Sequence, residues 1–210
     1  DPVTPRARQA QSRALRVLHV FPTFAYGGVP LRIVDVANRL GGAYTHRCVA
    51  LDGRTDAAER LSAWTRWEIV PAPAGRGWPR PVLAASEALK AEGPDLLCTY
   101  NWGAMDWALA NTLAARRPHL HFESGFGPEE AHRTLRRRDL YRRLALRCTD
   151  ALVGPSRSLF KLARTRRWIA QKRIRQIVNG VDLAFYQTER AGRVDATPTV
   201  ASVAPLRAEK

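Results

Sequence analysis

The sequence predicts an α/β fold: a Rossmann-like parallel sheet of about seven strands with helices on both faces. Three observations carry that expectation. Short apolar runs rich in β-branched residues alternate with stretches of helical period from Arg16 onward, and a βαβα order marks parallel strands joined by crossover helices. Helix stop signals, Gly41-Gly42 and Gly93-Pro94, stand where the periodic stretches end. At 210 residues, with 45% hydrophobic and 25% charged, the chain is long enough to bury a full core. No run approaches the roughly 18 apolar residues of a membrane span.

The elements follow in order. Residues 1–15 lack an apolar signal core and read as a loose tail. Strands are expected at 16–21, 46–51, 67–70, 95–100, 119–123, 151–153 and 174–178, each a brief apolar run bounded by turn residues. Helices are expected at 29–40, 56–64, 81–91, 104–116, 129–148 and 156–166, the last with Pro155-Ser156 offering an N-cap. These elements make one domain over 16–186. Residues 187–198 are polar, contain Gly192 and Pro198, and read as a linker. Residues 199–204 then read as a strand; since one strand cannot be a domain, it opens a second domain or, on the other reading, adds to the first sheet.

Composition narrows the function. Cys48, Cys98 and Cys148 are an odd number with no CxxC pair, which fits reduced thiols in a cytoplasmic setting. The net charge is +15, and thirty of the thirty-four basic residues are arginine. Residues 131–175 hold thirteen Arg and two Lys against Asp139 and Asp150, so nearly the whole excess sits in one segment. An anionic partner is expected at that face, either a membrane surface or a polyanion; a plain solvated helix is the other reading. The segment's apolar positions Ala131, Leu135, Tyr141, Leu144, Ala145 and Cys148 would form an apolar stripe, with Arg136, Arg137, Arg138, Arg142, Arg143 and Arg147 largely around it. Few aromatics interleave with these arginines, which disfavours single-stranded nucleic acid.

Ligands of open parallel sheets collect at the carboxyl ends of strands. Three candidate clusters fall there. The first strand runs through Tyr26 into Gly27-Gly28 and a helix, whose amides would attract a phosphate; a glycine needed only for a positive-φ turn is the alternative. Tyr100-Asn101-Trp102 follows the fourth strand: Tyr100 or Asn101 could hydrogen-bond a sugar and Trp102 could stack on one, or Trp102 is a core aromatic and Asn101 a cap. Glu123-Ser124 ends the fifth, where a carboxylate could orient an acceptor hydroxyl. His119 and His121 share a strand face and read as structural, and no metal site is expected. GxGxxG, GxxxxGK[ST] and GxSxG are all absent, which disfavours dinucleotide oxidoreductases, P-loop enzymes and α/β-hydrolases.

The most specific stretches are Asp150-Ala151-Leu152-Val153-Gly154-Pro155-Ser156 and Ile177-Val178-Asn179-Gly180-Val181-Asp182, the latter followed by Phe185. With Gly27-Gly28, Pro94-Asp95-Leu96-Leu97 and Val203-Ala204-Pro205-Leu206-Arg207-Ala208-Glu209-Lys210, the chain from Arg16 to Lys210 resembles the family-four glycosyltransferases of the GT-B fold. The resemblance implies the N-terminal, acceptor-side half of a two-domain enzyme, with residues 199–210 opening a donor-binding domain. It implies transfer of a sugar, of hexosyltransferase type, from a nucleoside-diphosphate sugar with retention and with neither metal nor cofactor. Gly27, Gly28 and Lys210 would hold the donor diphosphate, joined by Arg207, the arginine nearest a family position that here holds Pro205. Glu123 and Ser124 would line the catalytic centre, where the family often has a histidine at the place of Ser124. Tyr26, Tyr100, Asn101 and Trp102 would contact the acceptor.

A cytoplasmic enzyme of cell envelope polysaccharide synthesis follows, working at the inner membrane face on a glycan or lipid-linked acceptor and nearly inactive as this fragment alone. The rival reading is a non-catalytic module whose basic 131–175 face grips a polyanion or nucleic acid.

Overall fold

The computed structural model describes residues 13–75, 77–125, 135–181 and 183. Seven strands form one sheet: β1 (Leu15–Phe21), β2 (Tyr44–Ala50), β3 (Arg66–Val70), β4 (Leu96–Tyr100), β5 (His119–Phe122), β6 (Ala151–Gly154) and β7 (Ile174–Gln176). All pairs are parallel, in the order β3-β2-β1-β4-β5-β6-β7. The order runs outward from β1 in both directions, so the chain reverses between β1 and β4. At such a switch point the loops leaving two adjacent strands diverge and open a crevice.

Alternation along β1 divides the core. Val17 and Phe21 pack under α1 (Gly28–Leu40) with its Ile33 and Val34, and with Phe24, Cys48, Cys98 and Tyr100. Leu18 and Val20 face the other way, into a cluster with Leu89 of α2 (Arg80–Glu92), Met105 of α3 (Met105–Ala110), Ala145 of α4 (Arg136–Ala145) and Leu159 of α5 (Arg157–Thr165). Both faces are thus covered, as an all-parallel sheet requires. Cys48 and Cys98 stand on either side of His19 in the strand register, both buried.

Four histidines run through this interior. On the α1 side, Tyr100 Oη lies 2.8 Å from His19 Nδ1, and His19 Nε2 lies 3.0 Å from His46 Nδ1. On the opposite side, Thr99 Oγ1 bridges His119 Nε2 at 2.8 Å and His121 Nδ1 at 2.7 Å, while Thr149 Oγ1 holds His119 Nδ1 at 2.9 Å. Burial pushes both His19 and His119 down to about 3, with the neighbouring imidazole adding to each effect. His119 and His121 are therefore parts of the core's polar network.

Some elements depart from expectation. The stretch expected as a helix over 56–64 is only a 3₁₀ turn, Asp56–Arg60. Ala57 N donates to Phe24 O and Leu61 N to Ala58 O, which ties the segment to the β1 exit loop in place of an α ladder. The expected helix 104–116 begins as a 3₁₀ turn and ends in a π turn, Asn111–Ala115, stopped by Arg116 in the left-handed region.

The larger correction concerns α4, whose buried face is Asp139, Arg142 and Ala145, while Leu140 and Leu144 are exposed. Arg142 lies between the rings of Trp102 and Trp168, at 4.8 and 4.5 Å from their centroids, and Asp139 accepts from Trp168 Nε1 at 2.8 Å. Two stacked indoles and a buried carboxylate thus draw a cation inward at a place where an apolar stripe was expected.

The chain divides into two compact units after Ile177. The expected linker, the strand at 199–204, Arg207 and Lys210 lie outside the described residues.

Candidate functional site

Four strand exits build the site. The β1 exit, residues 22–27, is pinned from beneath. Phe24 is buried against Phe21 and Trp67, its N–H donates to Arg54 O at 3.1 Å, and its carbonyl accepts from Ala57 N at 3.0 Å. On this base Tyr26, Gly27 and Gly28 stand exposed, and Tyr26 Oη donates to Glu59. Gly27 is extended at φ −179°, Gly28 opens α1, and neither has a positive φ. A Cβ on Gly28 would meet nothing within 4 Å, and one on Gly27 only ordinary contacts beginning at 3.8 Å. Neither backbone conformation nor packing therefore demands glycine here. What the pair leaves is open space before the first amides of a 13-residue helix that has no side-chain cap and no acid in its first turn. Such amides favour an anion.

The β4 exit joins the β5 exit through Asn101. Its N–H donates to Phe122 O at 2.8 Å, and its Oδ1 accepts from Ser124 N at 2.9 Å. Asn101 adopts φ 54°, ψ −177°, a region that costs a non-glycine residue on the order of 1–3 kcal/mol. The strain holds two loops together at the switch point. Asn101→Ala should cost about 2 kcal/mol, since it keeps the strain and strands the Ser124 amide. Asn101→Gly should cost about 1 kcal/mol less than that, because glycine relieves the torsion. Urea midpoints of the two variants measure the difference, and equal values would mean the torsion stores nothing.

The other expected residues divide. Ser124 Oγ accepts from Arg32 Nη2 at 3.2 Å, which ties α1 to the β5 exit. Glu123 is buried; its Oε2 lies 3.9 Å from both His121 Nε2 and Arg142 Nη2, and its Oε1 has no hydrogen-bond partner among the described residues. An unsatisfied buried carboxylate oxygen costs energy and is a recurrent mark of a working site. Tyr100, expected on the acceptor side, belongs to the core: its ring stacks on Phe21 at 4.0 Å and its hydroxyl is engaged by His19. Trp102 is half-buried and packs against Arg138, Arg142 and Tyr141; with Arg137, Arg138 and Tyr141 it lines a small cleft of about 320 Å³.

Reading the sequence missed Arg32 and Arg142. Arg32 stands one turn after Gly28, on the α1 face toward Ser124, and that spacing was the available signal. Burial lowers its pKa while Tyr100 opposes the effect. Arg142 had no signal, being one of many arginines in a charged run.

Gly154 closes the arrangement. A Cβ there would sit 2.5 Å from Leu159 Cδ2 and 2.9 Å from Glu123 O, so only glycine lets β6 pass this close to the β5 exit. Ser156 then caps α5, accepting from Leu159 N at 3.2 Å as its position predicts.

Solved structures with the same sheet place this architecture. The Anabaena protein Alr3699/HepE in complex with UDP-glucose superposes with a TM-score of 0.61 at 17% identity, covering 84% of this chain and 47% of that one. A glycosyltransferase from Rickettsia africae gives 0.59 at 15% identity, over 83% of this chain and 45% of that one. A UDP-GlcNAc 2-epimerase from Neisseria meningitidis bound to UDP-GlcNAc gives 0.53 at 14%, over 79% and 46%. The chain thus spans about half the length of these structures, and the likeness shows a GT-B type fold that serves more than one chemistry. No curated protein matches the chain. The family model described as Glycosyltransferase Family 4 matches residues 26–185, from the exposed Tyr26 through all the strand exits above. By that match over most of its length, the chain belongs to Glycosyltransferase Family 4.

Proposed function

We propose that the chain is the acceptor-side half of a retaining, metal-independent glycosyltransferase that takes its sugar from a nucleoside diphosphate. The observation that carries the reading is the open Gly27-Gly28 turn at the switch point, where glycine is required by neither torsion nor packing. Amides there would neutralise the departing diphosphate, a fixed stabilisation of charge that develops during transfer. Arg32 would add a cation one turn further on, and Arg207 and Lys210 are proposed to close on the same diphosphate. Glu123 and Ser124 would line the reacting centre. Tyr26, Asn101 and Trp102 would face the acceptor, whereas Tyr100 contributes only by supporting the loop. A glycan or lipid-linked acceptor at the inner membrane face, in cell envelope polysaccharide synthesis, fits the basic 131–175 segment. UDP-sugar complexes among the similar structures favour a nucleotide-sugar donor. Full activity would need a second lobe that closes over the crevice.

The test reads amide resonances of the chain during titration with UDP-glucose. The signals of Gly27, Gly28 and Val29 should move together, and Gly28→Ala should weaken the effect about tenfold without lowering the melting temperature, since one donor N–H is crowded and no packing is disturbed. Shifts confined to other regions at millimolar donor would remove the basis of the assignment. Acceptor-dependent transfer, as opposed to epimerisation of the donor alone, separates this reading from the other chemistry found on the same fold.

A further inference from the structure

A separate concavity among the described residues shares no lining residue with the strand-exit crevice. It is a cleft of about 1350 Å³ between α4, α5 and the turn Gln171–Arg173 that leads into β7. Arg157, Lys161 and Arg164 enter it from α5 at i, i+4 and i+7, one continuous stripe of that helix. Arg143 and Arg147, four residues apart, line it from the α4 side. Arg167 and Arg173 complete seven cations, and no Asp or Glu lines the cleft.

Structural duties explain two of the seven. Arg143 Nε donates to Arg166 O at 2.8 Å, and Arg173 Nη1 donates to the carbonyls of Arg147 and Thr149 at 3.0 and 3.2 Å. These bonds also fix the two guanidinium groups at the cleft wall. The side chains of Arg147, Arg157, Lys161, Arg164 and Arg167 make no ion pair or hydrogen bond among the described residues, and all five are exposed. Helix ends favour cations only within the last turn, which covers Arg164 but neither Arg157 nor Lys161. Arg167 adds an independent point. It holds φ 53° directly after α5, a place where glycine is the unstrained residue, so a charged side chain is kept there against a backbone cost. Uncompensated like charges in one concavity repel one another and favour an anionic occupant.

The spacing defines that occupant. From Arg157 to Arg164 the stripe extends about 10 Å along the helix axis at about 1.5 Å per residue, more than one phosphate can engage. We propose that the α4–α5 cleft binds an elongated soluble polyphosphate, an anion with several phosphates in a row, gripped between the α5 stripe and the arginines opposite. The site is independent of donor binding at the Gly27-Gly28 turn.

Calorimetric titration of the chain with inorganic tripolyphosphate and with orthophosphate, at equal ionic strength, tests the proposal. Tripolyphosphate should bind about tenfold more tightly or better, as several charge-assisted contacts replace one. Arg167→Gly should weaken it about threefold while leaving the melting temperature unlowered, because glycine suits that torsion; this variant separates lost binding from lost folding. Arg157→Gln with Arg164→Gln should weaken it about tenfold or more, and Arg39→Gln on α1 should change nothing. Equal affinity for the two anions, or cleft variants indistinguishable from Arg39→Gln, would overturn the site. So would tighter binding of single-stranded DNA than of tripolyphosphate, or binding to phosphatidylglycerol vesicles alone.

Discussion

Acidification from pH 7 to pH 5 should remove about 4 kcal/mol from the unfolding free energy, about 2 kcal/mol for each of two buried histidines. His19 and His119 titrate near 3 in the folded chain because burial disfavours the imidazolium. In the unfolded chain both titrate near the ordinary value of about 6.5. Below that value the unfolded state binds protons that the folded state refuses, so stability falls with pH at up to about 1.4 kcal/mol per unit for each residue. The loss levels off only as pH nears the folded values. His46, also lowered by burial, acts in the same direction. For a domain of ordinary stability, about 5–15 kcal/mol, this is a large share. Urea unfolding at pH 7, 6 and 5 with a constant m-value reads it directly. A flat profile across that range would show that neither imidazole is held neutral.

Replacing Arg142 with Met should cost about 3 kcal/mol or more, although the substitution keeps a long side chain of suitable shape. Arg142 is buried between Trp102 and Trp168 with Nη2 3.9 Å from the Glu123 carboxylate. Removing one member of a buried charge pair leaves the other without compensation, typically a loss of about 3–5 kcal/mol. Adding Glu123→Gln should return part of the loss, with a coupling of about 1–2 kcal/mol in the double-mutant cycle. Strict additivity of the two substitutions would mean that the carboxylate does not sense the guanidinium. If Glu123 lines the reacting centre as proposed, Glu123→Gln should also reduce sugar transfer by the full-length protein, whereas an effect on stability alone would make Glu123 a structural part.

Legibility in the sequence follows the physics of each feature. Every described strand lies within two residues of its expected start, because a buried parallel strand must be an apolar run and each run is cut by turn residues. Helix interiors were harder. At 56–64 the tie between Ala57 and Phe24 decided the conformation, and a contact 33 residues apart leaves no periodic trace. The site was legible where backbone makes it: Gly27, Gly28, Asn101 and Ser124 converge through strand order alone. It was illegible where side chains turn inward. Tyr100 has the pattern of a loop-edge aromatic, yet strand alternation sends it under α1 with His19. Arg142 shows the same limit reversed, since a cation can be buried only by partners that sequence keeps far away.

The three thiols meet very different fates. Burial pushes the Cys98 thiol up to about 12 and the Cys48 thiol higher still, so neither offers the thiolate that alkylation requires. Cys148, half-buried just after α4, is left as the natural attachment point for a maleimide dye. A fluorophore joined there would sit one residue from Arg147 and would report on occupancy of the arginine-lined hollow with no change to the genetic message.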